Sequence, residues 1–490
     1  MNPTMIQFFH WYTDGPHQHW KFTQEQAKYL ADLGITSAWL PPAYKGASGE
    51  HSVGYDPYDL YDLGEFDQKN SVHTKYGTFE EYKNAIIALK ENNIEVIVDI
   101  VLNHKAGGDE LEKFFAIKVD ENDRNKFISD YFEIESYTKF TFPGRGTKYS
   151  DFNWNFNCFS GVDYAEGLDS HVFKIKSEFG ETWEEMIDDE KGNYDYLMYN
   201  DIEHRNTFVR EELNNWAKWY FDITSFDGVR LDAVKHISFD FYKEWLLFLR
   251  NNTGKNIFAV GEYWAPGQLP LLEKYIEATE GCMSLFDSSL HHNFHQASLE
   301  GDTYDLKRIF DETLTLNNPL HSVTLVDNHD TQPLQALEAP VEYWFKPLAY
   351  ALILLRIDGY PCIFFPDLYG AHYVDKDKEG NDQEIFLHKV ENIEELIQLR
   401  KTHAYGFQRD YFEDANCLGW TREGDENHRG CAVVLSNKDA YIKPMEMGVQ
   451  YAGQIFYDAL KKFEDKVIID ENGWGNFPVP AGNVSVWIPE

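Results

Sequence analysis

Cysteine is scarce in this 490-residue sequence. The five residues (Cys158, Cys282, Cys362, Cys417, Cys431) are scattered and odd in number, with no Cys-x-x-Cys pair. That argues against a disulfide framework or a thiolate metal site and suits a reducing compartment. Positive charge is also short: 44 Lys and Arg stand against 82 Asp and Glu, a net charge of −38. Nucleic acid and anionic membrane surfaces would both be repelled, so neither is expected as a partner. No segment approaches the roughly 20 apolar residues of a membrane span. The start, "MNPTMIQFFHWYTDG", has neither a basic n-region nor an apolar run of signal-peptide length, so a cytoplasmic location is expected. No internal repeat or low-complexity linker is visible.

What is present is ample core material and many rings. Hydrophobic residues make up 43% and aromatic residues 16%, enough for a large core with a few rings left for a groove, where they suit flat faces such as sugars. At this length two or three structural units are expected. Eight short β-type runs recur at 4–11, 35–42, 94–104, 226–236, 257–264, 283–290, 322–330 and 362–370. Helical patterns fall between them at 23–33, 78–92, 207–221, 239–251, 304–315, 341–356 and 391–402. The first two open with the capping boxes Thr23-x-x-Gln26 and Thr78-x-x-Glu81. Near-continuous apolar strands alternating with helices predict a parallel sheet covered by helices, and eight such units predict an α/β fold of the closed (β/α)8 barrel type. An open doubly wound sheet is the structural rival.

One interval breaks the rhythm. Between His104 and Phe226 lie about 120 residues rich in Tyr, Phe, Asn, Asp and Gly, too long for a bare loop. They predict an irregular β-rich domain inserted after the third strand. Residues 405–490 are strands and turns without intervening helices, which predicts a C-terminal β-sandwich. The expected divisions are 1–103 and 206–404 for the barrel, 104–205 for the insertion and 405–490 for the sandwich.

Active sites of such barrels sit at the C-terminal ends of the strands. Three of these ends carry acids: Asp232 on the fourth strand, Glu262 on the fifth and Asp330 on the seventh, with His104, His236 and His329 beside them. Converging carboxylates point to glycosidic chemistry, with one acid as nucleophile and another as general acid. A hard-cation site is the rival, since it also collects oxygens. Arg230 lies two residues before Asp232, so both side chains share one face of the strand. A neighbouring positive charge favours the carboxylate form. Glu262 is followed by Tyr263 and Trp264, an apolar setting that raises a carboxyl pKa, as a general acid requires. Asp99, on the adjacent third strand, is placed to pair with Arg230 from the side.

The combination is more specific than any one acid. "DIVLNH" (99–104), "GVRLDAVKH" (228–236), "GEYW" (261–264) and "VDNHD" (326–330) resemble, in order and spacing, the α-amylase family, glycoside hydrolase family 13. The resemblance covers essentially the whole chain, including "GYDPYDL" and "GNYDYLMYNDI", and is strongest to bacterial liquefying-type and enterobacterial cytoplasmic members. It implies a retaining, endo-acting hydrolase of internal α-1,4-glucosidic bonds in starch, glycogen or maltodextrins, acting as a monomer on this neutral α-glucan. By resemblance Asp232 is the nucleophile, Glu262 the acid/base and Asp330 the third acid. Tyr55, His104, Arg230, Lys235, His236, Trp264 and His329 are the implied substrate contacts.

A calcium ion (Ca2+) is implied on Asn103, Asp195, Asp201 and the backbone carbonyl of His236, all oxygen donors. Ser160, Glu184 and Glu203 stand where the liquefying enzymes have aspartates, which argues against their further sodium and calcium sites. The same acids would also serve a transglycosylating or α-1,6-preferring relative, and a non-catalytic glycan-binding protein is the rival from another class.

Overall fold

The structure is a computed structural model that describes residues 2–13 and 17–490. Eight parallel strands close into a barrel: β1 (Met5–Gln7), β2 (Ser37–Leu40), β3 (Glu95–Ile100), β4 (Gly228–Leu231), β5 (Phe258–Gly261), β6 (Ser284–Phe286), β7 (Ser322–Leu325) and β8 (Tyr360–Phe364). Each strand pairs with its sequence neighbour and β8 returns to β1. Every predicted strand run is in the barrel, and its conspicuous polar residues lie at or just beyond the strand end.

Helices cover the outside: α1 (His19–Leu33), α2 (Phe79–Glu91), α3 (Thr207–Thr224), α4 (Phe239–Thr253), α5 (Leu269–Ala278), α6 (Ser288–Glu300), α7 (Lys346–Leu355) and α8 (Ile393–Thr402). The Thr78–Glu81 capping box is formed at α2. The one read at Thr23 is not. α1 begins four residues earlier, because Trp20 is fully buried and its N–H donates to the Tyr76 carbonyl at 3.1 Å. Thr23 sits within the helix and donates back to the His19 carbonyl. Tertiary packing has replaced the local cap.

The helix expected over 304–315 is also absent. Its place is taken by a one-turn 3-10 segment, Leu306–Arg308, and a short helix, Leu314–Asn317, each capped by a side chain (Asp305 and Thr313). α6 covers this part of the barrel instead, capped by Asp287, which accepts from the Leu290 N–H. The run 283–290 therefore changes from strand to helix midway.

A six-stranded antiparallel sheet between His104 and Ile202 forms the insertion, and its strand Asn200–Ile202 pairs with His104–Lys105 at the end of the barrel's third unit. After α8, a six-stranded sheet spanning Gln408–Pro489 packs on a two-stranded ribbon, Tyr441–Glu446 with Trp474–Val479, around Val434, Met445, Phe477 and Trp487. All five cysteines are free thiols. Among the described residues no helix is long and apolar enough to cross a membrane.

Candidate active site

The polar end of β4 is where the site begins. Arg230 is fully buried in register with Asp99 on β3 and Val260 on β5. Its Nη1 donates to Asp99 Oδ1 at 3.0 Å and to Asp232 Oδ1 at 2.6 Å, while Nη2 donates to Glu262 Oε2 at 2.6 Å. One guanidinium thus holds three carboxyls on three adjacent strands. Asp99 accepts two further hydrogen bonds, from Trp39 Nε1 at 2.9 Å and the Tyr55 hydroxyl at 2.8 Å. Burial still pushes Asp99 up to about 6, against the pull of Arg230.

The backbone aligns the two acids above Arg230. The Asp232 N–H donates to the Ile100 carbonyl, and the Glu262 N–H to the Leu231 carbonyl, both at 2.9 Å. Ala233 turns the chain with φ +49°, an uncommon value for a residue with a side chain. Its N–H then points to Glu262 Oε2 at 3.2 Å. Burial is the main force on Glu262, raising it to about 8; Arg230 opposes this, and Asp232 and Asp330 add to it. Asp330 is raised to about 7, again chiefly by burial. Asp330 lies 3.4 Å from His329 Nε2.

β7 is fixed from behind by buried Lys346, which bridges Asp327 at 2.7 Å and Asp367 at 2.6 Å. Asp327 immediately precedes the Asn328–Asp330 stretch, so this ion triad ties the third acid's loop to α7.

Above these groups opens a cleft of about 800 Å³, lined by Asp232, Glu262, Asp330, Tyr55, His104, Lys235, His236, Trp264 and His329. Every implied catalytic residue and all but one implied substrate contact therefore share one cavity. Arg230 is the exception, lying beneath the acids rather than on the cleft wall. Burial drives the imidazoles of His104, His236 and His329 toward the neutral form. Both His104 nitrogens are engaged internally, Nε2 with the Tyr55 carbonyl at 2.9 Å and Nδ1 with Asn103 Nδ2 at 3.2 Å. Lys235 is paired with Glu190 and, at 3.3 Å, with Asp188.

Several lining residues were not singled out in the sequence. Trp11 matters most: its ring is parallel to Tyr55 (5.9 Å, 3°) and to His329 (6.1 Å, 12°), while Tyr55 and His329 stack at 4.9 Å. These three rings make one apolar wall beside the acids. Trp11 shortly follows β1, so the rule that picked out the other strand ends applies to it as well. Tyr194, Leu197, Met198, Tyr199 and Leu337 come from loops without such a signal.

Next to the cleft, Asp195, Asp201, Glu184 and Glu203 are buried together. Burial, with mutual repulsion, raises Glu184 to about 8, Asp195 to about 7 and Asp201 well above the usual range. Glu203 is neutralised by Arg205 in a two-pronged pair (2.7 and 2.6 Å). Ser160 donates to Asp201, and Lys174 donates to the Ser160 carbonyl at 3.3 Å. The orientation of Asn103 is distinctive. Its amide nitrogen is used by His104, which leaves Oδ1 buried without a partner. A buried carbonyl oxygen with no donor, beside uncompensated carboxylates, is a donor set that fits a hard divalent cation.

Comparison with known proteins gives the family. The alpha amylase catalytic domain matches residues 19–424, and the alpha-amylase C-terminal domain matches residues 431–488. The cytoplasmic alpha-amylase of Escherichia coli (strain K12) is 48% identical across the whole chain and 99% of that protein. The alpha-amylase of Bacillus licheniformis is 44% identical over the whole chain and 94% of its length. A glucan 1,4-alpha-maltohexaosidase of a Bacillus species is 43% identical over 99% of the chain and 92% of its own. Among solved structures, a three-domain cyclomaltodextrin glucanotransferase superposes over 99% of both chains with a TM-score of 0.65 at 20% identity, a likeness of fold.

The raised Glu262 has a thermodynamic signature. A carboxyl shifted from 4.5 to about 8 keeps a proton in the folded state that the unfolded chain releases. Stability therefore falls as pH rises through that window. Glu262→Gln should lessen this fall, measured as the pH dependence of unfolding between pH 5 and about 8. An unchanged slope would mean that Glu262 titrates as an ordinary carboxyl.

Proposed function

This chain belongs to the alpha-amylase family, with both its catalytic and its C-terminal domain, and on that footing we propose how its residues divide the reaction. The activity is that of an α-amylase, the endo-hydrolysis of α-1,4-glucosidic bonds in an α-glucan. The observation that carries the division of roles is the sharing of Arg230 by Asp232 and Glu262.

Asp232, ion-paired to Arg230, attacks the anomeric carbon. Glu262 holds its proton at neutral pH and delivers it to the departing glycosidic oxygen; it then takes a proton from the water that releases the sugar. Asp330 and His329 face the same space and engage hydroxyls of the sugar as its ring flattens. Trp11, Tyr55 and Trp264 offer flat apolar surfaces to the glucan. His104 acts through position, holding the Tyr55 carbonyl and the Asn103 amide, and Arg230 likewise acts from beneath the acids. Lys235 and His236 flank the leaving-group side. The 43–48% identical relatives include enzymes named for α-amylase activity, which favours hydrolysis over transglycosylation or α-1,6 preference.

Retention follows from placement. Asp232 and Glu262 follow strands paired in register at Leu231 and Gly261, and adjacent strands lie about 4.8 Å apart. That suits the roughly 5–5.5 Å of a retaining pair better than the 6.5–9.5 Å that admits a water. Proton NMR of maltoheptaose cleavage in its first minutes should show α-anomeric reducing ends, and Asp232→Asn should lower the rate by about 10⁴-fold or more. An initial β signal, or a variant within a few-fold of wild type, contradicts the assignment.

One structural Ca2+ would be held by Asn103, Asp195, Asp201 and the His236 carbonyl. Bound there, it supplies positive charge that keeps the buried acids ionised and joins insertion to barrel. The five free thiols and the E. coli relative named cytoplasmic support a cytoplasmic location. Chelation should lower both melting temperature and activity, and calcium should restore them, since a ligand of the folded state stabilises it by mass action. A protein that keeps both without retaining metal would exclude the site.

A further inference from the structure

A second cluster lies at the rim of the cleft, built from three segments far apart in sequence. His17 precedes α1, Glu50 lies in the one-turn helix Gly49–His51, and His73 lies in the loop before α2. Their ligand atoms all fall within 4.8 Å of one another. Glu50 Oε2 is 3.3 Å from His17 Nε2 and 3.6 Å from His73 Nε2.

The hydrogen bonding of His17 makes this arrangement informative. Its Nδ1 lies 3.1 Å from the Thr74 carbonyl. A carbonyl only accepts, so Nδ1 carries the proton, and in a neutral ring Nε2 then presents a lone pair. That lone pair faces a carboxylate oxygen, which is also an acceptor. Nε2 of His73 faces the same oxygen, and its Nδ1 is buried without a partner. Protonating both rings would oppose two positive charges with centroids only 3.2 Å apart. One divalent ion between the three groups would give both Nε2 lone pairs and the carboxylate oxygen a common partner. A backbone carbonyl holding the far nitrogen of an imidazole is also the usual support of a metal-binding histidine. Metal–ligand arms of about 2.0–2.1 Å can span the 3.3 and 3.6 Å that separate Glu50 Oε2 from the two imidazole nitrogens. Finally, His17 has φ +67°, a strained value of the kind that collects at functional sites.

We propose that His17, Glu50 and His73 bind one divalent transition-metal ion of the zinc type. Two imidazoles and one carboxylate select such an ion over calcium, whose donors are oxygens. His51, whose Nε2 is 3.8 Å from Glu50 Oε1, or a water completes the shell. The ion pins the Gly49–His51 turn to the entrances of α1 and α2. Ser48, His51 and Ser52 of that segment line the cleft, so the ion fixes one wall of the groove.

Titration calorimetry of the full chain with zinc, in calcium-saturated buffer after removal of trace metals, tests this. One equivalent should bind, and the double variant His17→Ala/His73→Ala should bind at least about 100-fold more weakly. Cobalt(II) should give the visible absorption of a four-coordinate site in the wild type only. Should the double variant not fold, Glu50→Gln and His73→Ala provide the same comparison. Equal zinc binding by wild type and variants, or none by the wild type, overturns the proposal.

Discussion

A single buried guanidinium organises the catalytic end of this barrel. Arg230 makes charge-assisted contacts with Asp99, Asp232 and Glu262, whose strands are consecutive around the barrel. Burying that many charges is costly unless each is paired and hydrogen-bonded. The rings around the group, Trp39 at 5.1 Å and Tyr55 at 5.6 Å from the guanidinium carbon, exclude water and strengthen the pairing. Three negative groups around one positive group leave the cluster short of positive charge. The resolution lies in where the remaining proton resides. Asp232 binds the same nitrogen as Asp99, whereas Glu262 is buried and pushed up to about 8. Glu262 therefore keeps a proton at neutral pH, which is what a proton donor requires.

The insertion is bound to this centre through a chain of local contacts. Asn103 spends its amide on His104, His104 spends its other nitrogen on Tyr55, and Tyr55 donates to Asp99 beneath it. At the other end, Asn103 Oδ1 is buried without a partner, and the Asn103 backbone carbonyl accepts from the Ile202 N–H of the insertion at 2.9 Å. The orientation of Asn103 and the posture of the Tyr55 ring are thus mechanically linked.

The barrel was legible because its strands are short, apolar and regularly interrupted, and because polar residues in such strands stand out. The same contrast singled out Arg230, Asp232, Glu262 and Asp330. What escaped was set by tertiary rather than local terms. α1 starts at His19 because Trp20 is buried and Tyr76 supplies a partner for its N–H, which no capping rule contains. The run at 283–290 looked continuous, although Asp287 caps a helix within it. Glu203 was seen as a departure from the family pattern, but its pairing with Arg205 depends on side-chain reach. The cluster of His17, Glu50 and His73 has no sequence spacing to detect, since three loops supply one residue each.

Arg230→Lys is the most direct test of the central role given to this group. Lysine keeps the charge but has one ammonium where the fork of Arg230 meets three carboxyls, so it cannot hold both catalytic acids at once. The variant should remain folded by circular dichroism and retain maltooligosaccharide binding within several-fold, while kcat on maltoheptaose falls by at least about 100-fold. A folded Arg230→Lys enzyme with kcat within a few-fold of wild type would contradict the account.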